Sequence, residues 1–276
     1  MDENTEQPSG PDGRRVVLAA AIFDVDGVLV ASPHEHAWRE ALSGFADHTR
    51  FTTEFYQTHV AGKPRLEGAR SALEQLGVPH AAERALEYGA IKQALIDRLI
   101  AEGSFDAFPD AVRLAAALHG AGLRLALASS SKNAEAMLRH LTLSDGRPLL
   151  SVFDADLSGT DVPRGKPDPA LFLLAAKALN IPPAQCLVVE DAPSGIQAAR
   201  AGGMAALGIA RLGDEALLRA AGADLVVTSL DQVDTGAIGA GALSVRPNGN
   251  TQPLHEVLAP KQRTRAGSSA TQATAS

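Results

Sequence analysis

The chain has 276 residues, with 25 Lys and Arg against 32 Asp and Glu, a formal net charge of -7. That acidic balance argues against a nucleic-acid or anionic-membrane surface. A single cysteine, Cys186, rules out an intrachain disulfide and fits a reducing compartment. No apolar run approaches the roughly 20 residues of a membrane span, and the polar, acidic start lacks the basic-then-apolar pattern of a secretory signal. A cytoplasmic protein with no membrane or nucleic-acid partner is expected, and a monomer is the simplest assembly.

Residues 1–15 are rich in Glu, Asp, Pro and Gly and are expected to form a disordered tail. The apolar run Val16–Phe23 then reads as a strand buried on both faces. It ends in Asp24, Asp26 and Gly27. From 32 to 105 helical periodicity dominates: Trp38, Ala41 and Leu42 mark a first apolar face, and Arg70–Leu76 and Ala81–Ile100 repeat apolar residues at three and four. Gly62, Pro64, Gly77 and Pro79 separate the pieces, so this stretch is expected to be an all-helical insert.

From about 106 helices and strands alternate. Helices are expected at Pro109–Ala121, Lys132–Leu141, Asp168–Leu179 (capped by Asp168), Pro193–Ala201 and Gly213–Ala221. Strands are expected at Leu123–Ala128, Val152–Ala155, Cys186–Val189, Met204–Ile209 and Leu225–Val227. Such alternation implies an α/β fold, a doubly wound parallel sheet built from 16–31 and 106–234 with the helical domain 32–105 inserted. Beyond Asp234 the composition turns to Gly, Ser, Thr, Gln and Pro, and 235–276 is expected to be a disordered tail.

Four polar clusters follow strands: Asp24/Asp26, Ser129–Ser131, Lys166 and Glu190/Asp191. A parallel sheet delivers such strand ends to one edge, where ligands bind. The mixture suits phosphoryl transfer. A carboxylate, Asp24, can attack phosphorus and become an aspartyl phosphate. The attack sets anion against anion, so neutralising charge is needed. Mg2+ on Asp24 and Asp191, with Glu190 beside them, would supply it, as would Lys166 near the phosphate. Ser129, with Ser130 and the neighbouring N–H groups, would hold phosphate oxygens. Asp26 is placed to protonate the leaving group and to deprotonate the acceptor. Taken singly, each cluster is also a common turn, loop or helix cap; their recurrence at successive strand ends favours a shared site. A P-loop is excluded because Gly159 and Gly165 are one residue too far apart and Pro167 stands where a hydroxyl is needed. The stretch 239–244 lacks the third glycine of a dinucleotide fingerprint. Cys186 sits in an apolar strand as a small hydrophobe, and Trp38 reads as packing.

In order, Asp24-Val-Asp26-Gly27, Ser129, Gly165-Lys166-Pro-Asp-Pro169 and Glu190-Asp191 resemble the four motifs of the haloacid dehalogenase superfamily. The resemblance covers about Val17 to Leu230. It implies a Rossmann-like core, an aspartyl phosphate on Asp24, a magnesium cofactor that also takes the main-chain carbonyl of Asp26, and a helical cap that closes over small substrates. Leu127–Asn133 and Val189–Ala199 resemble the beta-phosphoglucomutase group. That implies substrate roles for Ser131, Lys132 and Asn133 in the core. It implies the same in the cap for His36 near the general acid, Arg65 on the distal phosphate, and Lys92. The expected reaction is conversion of glucose 1-phosphate to glucose 6-phosphate, with a sugar-phosphate phosphatase as the alternative. The group's Thr-Asp-Thr/Ser is replaced here by Val30-Ala31-Ser32, which removes a carboxylate. A receiver-like signalling domain shares the acids and the lysine, but the helical insert and Asp26 argue against it.

Overall fold

A computed structural model describes residues 17–246; the expectations for residues 1–15 and 247–276 lie outside the described residues. The elements run β1 (Ala20–Phe23), β2 (Val30–Ala31), α1 (His34–Glu40), α2 (Thr53–His59), α3 (Arg65–Gln75), α4 (Ala81–Ala101) and β3 (Asp106–Ala107). There follow α5 (Pro109–Gly120), β4 (Arg124–Leu127), α6 (Ala134–Leu138), β5 (Ala155–Asp156), α7 (Ala170–Leu179) and β6 (Cys186–Glu190). The last are α8 (Pro193–Ala201), β7 (Ala205–Ile209), α9 (Glu215–Ala220), β8 (Leu225–Val227) and α10 (Thr235–Gly239).

Six strands form one sheet in the order β5-β4-β1-β6-β7-β8, and every pairing is parallel. The fold is a Rossmann-like α/β sandwich with a helical insert. Strand β1 shows why. All four of its side chains are fully buried, and alternation sends Ala21 and Phe23 into one layer of the core and Ala20 and Ile22 into the other. On either side Phe23 is in register with Leu127 and Val189. The residues that follow, Asp24, Ala128–Ser129 and Glu190, are therefore carried to one edge of the sheet.

Helices α1 to α4 bury a separate apolar cluster around Trp38, Leu42, Phe51, Leu73 and Tyr88. Tyr88 donates to the Trp38 carbonyl at 2.8 Å, so the one polar atom of this large buried ring is satisfied. The insert is reached through β2 and β3, which pair antiparallel as a two-stranded ribbon. Neither strand is evident from periodicity, because a two-residue strand carries none.

Other boundaries also differ from expectation: β1 starts only at Ala20 and α6 spans only Ala134–Leu138. Leu149–Val152 is a short 3-10 turn, so β5 begins only at Ala155. The stretch after Asp234 is ordered at its start. Asp234 accepts from the amides of Gly236 and Ala237 and caps α10, Ile238 is fully buried, and Val233 bridges to Val245. A five-residue helix with a single core side chain leaves no periodic trace. Asp168 lies two residues before α7, outside its N-cap Pro169, and accepts from the Ala170 amide at 3.0 Å.

Candidate active site

At the sheet edge Lys166 is almost wholly buried. It donates to Asp24 Oδ1 at 2.6 Å and to Glu190 Oε1 at 2.7 Å. The other oxygen of Glu190 accepts from the amides of Asp191 and Ala192 at 2.9 and 2.8 Å. Glu190 is thus fully occupied, and neither it nor Lys166 lines the cavity in front of the sheet. Space for these acids comes from glycines. A Cβ at Gly195 would lie 1.8 Å from Glu190 Oε1, and one at Gly27, where φ is +83°, would lie 1.9 Å from Asp191 Oδ2. Only glycine tolerates that conformation and that approach together.

The cavity, about 300 Å³, is lined by core and insert alike. Asp24, Asp26, Asp191, Ser129–Asn133 and Asp161 face His34, Trp38, Tyr56, Arg65, Lys92 and Gln93. Asp26 Oδ1 is buried, has no well-aligned hydrogen-bond donor, and lies 3.3 Å from His34 Nε2. Ser129 Oγ lies 3.5 Å from the other oxygen. His34 Nδ1 is 3.2 Å from Lys92 Nζ, which is itself buried 5.0 Å over the Trp38 ring. An ammonium can only donate, so it fixes the proton of a neutral His34 on Nε2, facing Asp26.

His36, in contrast, is exposed and does not line the cavity. The resemblance selects His36; the helix face selects His34. His34 and Trp38 are four apart, so both fall on the buried side of α1, and the buried tryptophan was the usable signal. Tyr56 and Gln93 were also missed, since a half-buried polar residue on a helix has no distinctive spacing.

The rim is more open. Arg65 donates to Gln93 Oε1 at 2.5 Å, and Gln93 donates to Asn133 Oδ1 at 3.0 Å, so one amide joins insert to core. Lys132 pairs with Asp161 at 2.9 Å on the exposed edge. Ser131 Oγ lies 3.3 Å from His34 Nε2 and Ser130 reaches the Gly62 carbonyl at 3.4 Å. Buried Ser194 donates to the Ala61 carbonyl at 2.8 Å. The loop before α3 is therefore held against the core.

A haloacid dehalogenase-like hydrolase family model matches residues 18–203. The chain belongs to this family. It is 34% identical to a beta-phosphoglucomutase of Bacillus subtilis over 76% of this chain and 89% of the relative. It is 35% identical to a fructose-1-phosphate phosphatase of Escherichia coli over 69% of this chain and 96% of the relative. Among solved structures, a beta-phosphoglucomutase from Clostridium difficile superposes with a TM-score of 0.66 at 29% identity, covering 82% of this chain and 97% of that one. As a haloacid dehalogenase-like protein the chain is an enzyme of phosphoryl chemistry, a phosphomutase or phosphatase. Among its described residues no helix is long and apolar enough to cross a membrane.

The charge balance of this haloacid dehalogenase-like site fits a divalent cation. Three acids, Asp24, Glu190 and Asp191, share the single Lys166 ammonium. Burial, with Glu190 and Asp26 adding repulsion, lifts Asp24 to about 7 against the pull of Lys166. Burial, Glu190 and Asp24 push Asp191 well above the carboxylate range. The Asp191 carboxylate accepts no hydrogen bond among the described residues, which leaves hard oxygen donors free. No cluster of three or more Asp, Glu, His or Cys side chains is preformed among the described residues. Mg2+ commonly uses one or two carboxylates and fills the rest of its shell with water and phosphate oxygens. Asp26 behaves differently. Burial would raise it, but His34 and Ser32 outweigh burial and hold it at about 2. Desolvation together with Lys92 lowers His34 in spite of Asp26.

Proposed function

We propose that the protein is a phosphomutase acting on a small phosphorylated sugar, interconverting glucose 1-phosphate and glucose 6-phosphate through a phosphorylated Asp24. Asp24 is the nucleophile, held by Lys166 with one oxygen turned to the cavity. Asp26, ionised at rest, takes the proton of the attacking sugar hydroxyl and returns it to the departing sugar oxygen in the reverse transfer. His34, its tautomer set by Lys92, keeps Asp26 in place and supplies a donor as its charge changes. Mg2+ would be held by the Asp24 and Asp191 carboxylates with the Asp26 main-chain carbonyl, and would offset the charge of the transferring phosphoryl group. Ser129, Ser130 and the amides at the start of the following turn would hold its oxygens. Arg65, with Lys132 and Asn133, would hold the second phosphate, and Gln93 would keep Arg65 at the rim.

The observation that supports a mutase is closure. The insert covers the cavity, and Ser194, Ser130 and Gln93 tie its loop and helix to the core. Covering the acids favours a bound sugar hydroxyl over water as acceptor. A phosphatase is the second reading. It draws on Ala31, which stands where the mutase group carries a carboxylate, and on the similarity to a fructose-1-phosphate phosphatase. The deciding experiment supplies beta-glucose 1-phosphate with a trace of glucose 1,6-bisphosphate and Mg2+. Glucose 6-phosphate supports the mutase; free phosphate and glucose overturn it in favour of the phosphatase.

A further inference from the structure

Behind the acids, on the side away from the cavity, a second buried polar cluster ties together pieces of chain far apart in sequence. Arg211 follows β7 by two residues. Its guanidinium makes a bidentate pair with Asp110, Nη1 to Oδ2 at 2.8 Å and Nη2 to Oδ1 at 3.0 Å. The two side chains are 13% and 9% exposed, so this pair is largely withdrawn from solvent screening. Asp110 has no freedom left. It also accepts from the amides of Leu230 at 2.8 Å and Ala111 at 2.9 Å, and from Ser229 Oγ at 3.3 Å.

The guanidinium then reaches the catalytic turn. Nε lies 3.4 Å from the Gly27 carbonyl and Nη2 3.3 Å from that of Val28. Its flat face lies 3.9 Å over the Phe108 ring. Gly27 and Val28 lead into β2, the outgoing strand of the ribbon; Phe108 follows β3, the returning one, and donates its amide to the Leu29 carbonyl at 2.9 Å. One side chain thus touches the chain on both sides of the insert, next to Asp26. The same turn is packed against Asp191, since a Cβ on Gly27 would overlap that carboxylate.

We propose that Arg211, clamped by Asp110, is a positioning residue that fixes the turn carrying Asp24, Asp26 and Gly27 at the root of the ribbon. The proposal rests on the phosphoryl-transfer reading of the site. It is distinct from the acids, Lys166 and Ser129, because Arg211 touches no reacting atom and acts through two main-chain carbonyls. A planar fork with several donors suits the task; a lysine ammonium cannot hold both carbonyls and a bidentate carboxylate at once. An ion pair serving stability alone would loosen the fold without singling out the turn.

The test uses the full chain with Arg211→Lys, Arg211→Met and Asp110→Asn. Amide hydrogen exchange on the free protein follows Gly27, Leu29 and Val30, whose amides bond within the turn to the carbonyls of Val30, Val25 and Val25, against the sheet amides of Val188 and Val189. In Arg211→Met the turn amides are expected to exchange at least about tenfold faster with the sheet amides unchanged. The kcat for a phosphate ester is expected to fall about 10²-fold with KM within about twofold. Arg211→Lys recovers part of the loss. Asp110→Asn keeps the shape of the site and gives a smaller change of the same kind, and it stands in should Arg211→Met not fold. Equal acceleration at turn and sheet overturns the proposal, as does an unchanged turn or a loosened turn with kcat unaltered. A wild-type chain that turns over no phosphate ester would overturn the functional reading; the exchange comparison needs no substrate and decides the role of Arg211 separately.

Discussion

Asp24 and Glu190 stand at the ends of strands paired on both sides, Lys166 reaches them from the loop between β5 and α7, and the ion pairs close to 2.6 and 2.7 Å with almost no exposure. His34, Arg65, Lys92 and Gln93 stand on helices that meet the core across a cavity through a few hydrogen bonds of 3.0 Å and longer and one of 2.8 Å from Ser194. The core half is rigid by construction, since moving Asp24 means moving the central strand of a parallel sheet. The helical half can separate from it by breaking a handful of contacts. A site divided in this way suits a reaction whose chemistry is fixed and whose acceptor is chosen by closure.

The largest effect should come from the core. In Asp24→Asn the proposed nucleophile is lost while the amide still fills the space beside Lys166, so turnover should fall by more than about 10³-fold. Stability should not fall with it. Burial raises the folded pKa of Asp24 from 3.8 to about 7, so the folded chain binds the extra proton in that window and stability declines as pH rises through it. Asparagine removes that decline. Melting curves at pH 8 should place Asp24→Asn at or above the wild type; a large drop would mean that the carboxylate holds the core together.

A second test separates two histidines on one helix. His34→Ala should lower kcat about 10²-fold through the loss of support for Asp26, while His36→Ala should stay within about twofold. The reverse order would restore the role that the resemblance implies for His36. The contrast shows what the sequence made legible. A buried apolar run followed by polar residues announces a strand end, and such ends meet at one edge of a parallel sheet, so Asp24, Ser129 and Asp191 could be gathered without coordinates, with Lys166 brought to them by the loop between β5 and α7. A helix residue is placed by its face, and the length of the connection before α1 decides the register. The resemblance therefore lands on His36, two residues after the one that faces the cavity. Arg211 was further out of reach: its partners Gly27 and Val28 lie 184 and 183 positions away, and no local pattern marks a side chain that serves main-chain carbonyls.

At the rim the effect is smaller. Arg65 is exposed and bonded only to Gln93 among the described residues. Arg65→Ala should raise KM for a sugar phosphate about tenfold, the loss of one charge-assisted contact, with kcat little changed. Unchanged kinetics would take Arg65 out of the site.

The finest probe asks whether α4 is seated on α1 in solution as it is in the structure. Lys92 lies on α4, and its burial comes from that helix being seated over Trp38 and His34. Desolvation, with Arg65 adding repulsion and Asp26 and Asp97 opposing, lowers it from 10.5 to about 8. A lysine lowered in this way burdens the fold while charged, below pH 8. Between pH 8 and 10.5 the unfolded chain holds the proton more tightly, so wild-type stability rises with pH across that window. Lys92→Met carries no such proton. Its stability advantage should be greatest below pH 8 and should shrink toward pH 10.5 by at most about 1.4 kcal/mol per pH unit. Activity should move the other way, since a neutral Lys92 no longer fixes the His34 proton on the side of Asp26. If α4 stands away from α1, Lys92 is hydrated and titrates near its ordinary value. The stability gap between wild type and Lys92→Met is then flat from pH 8 to 10.5, and the packing of α4 on α1 would have to be supplied by the substrate.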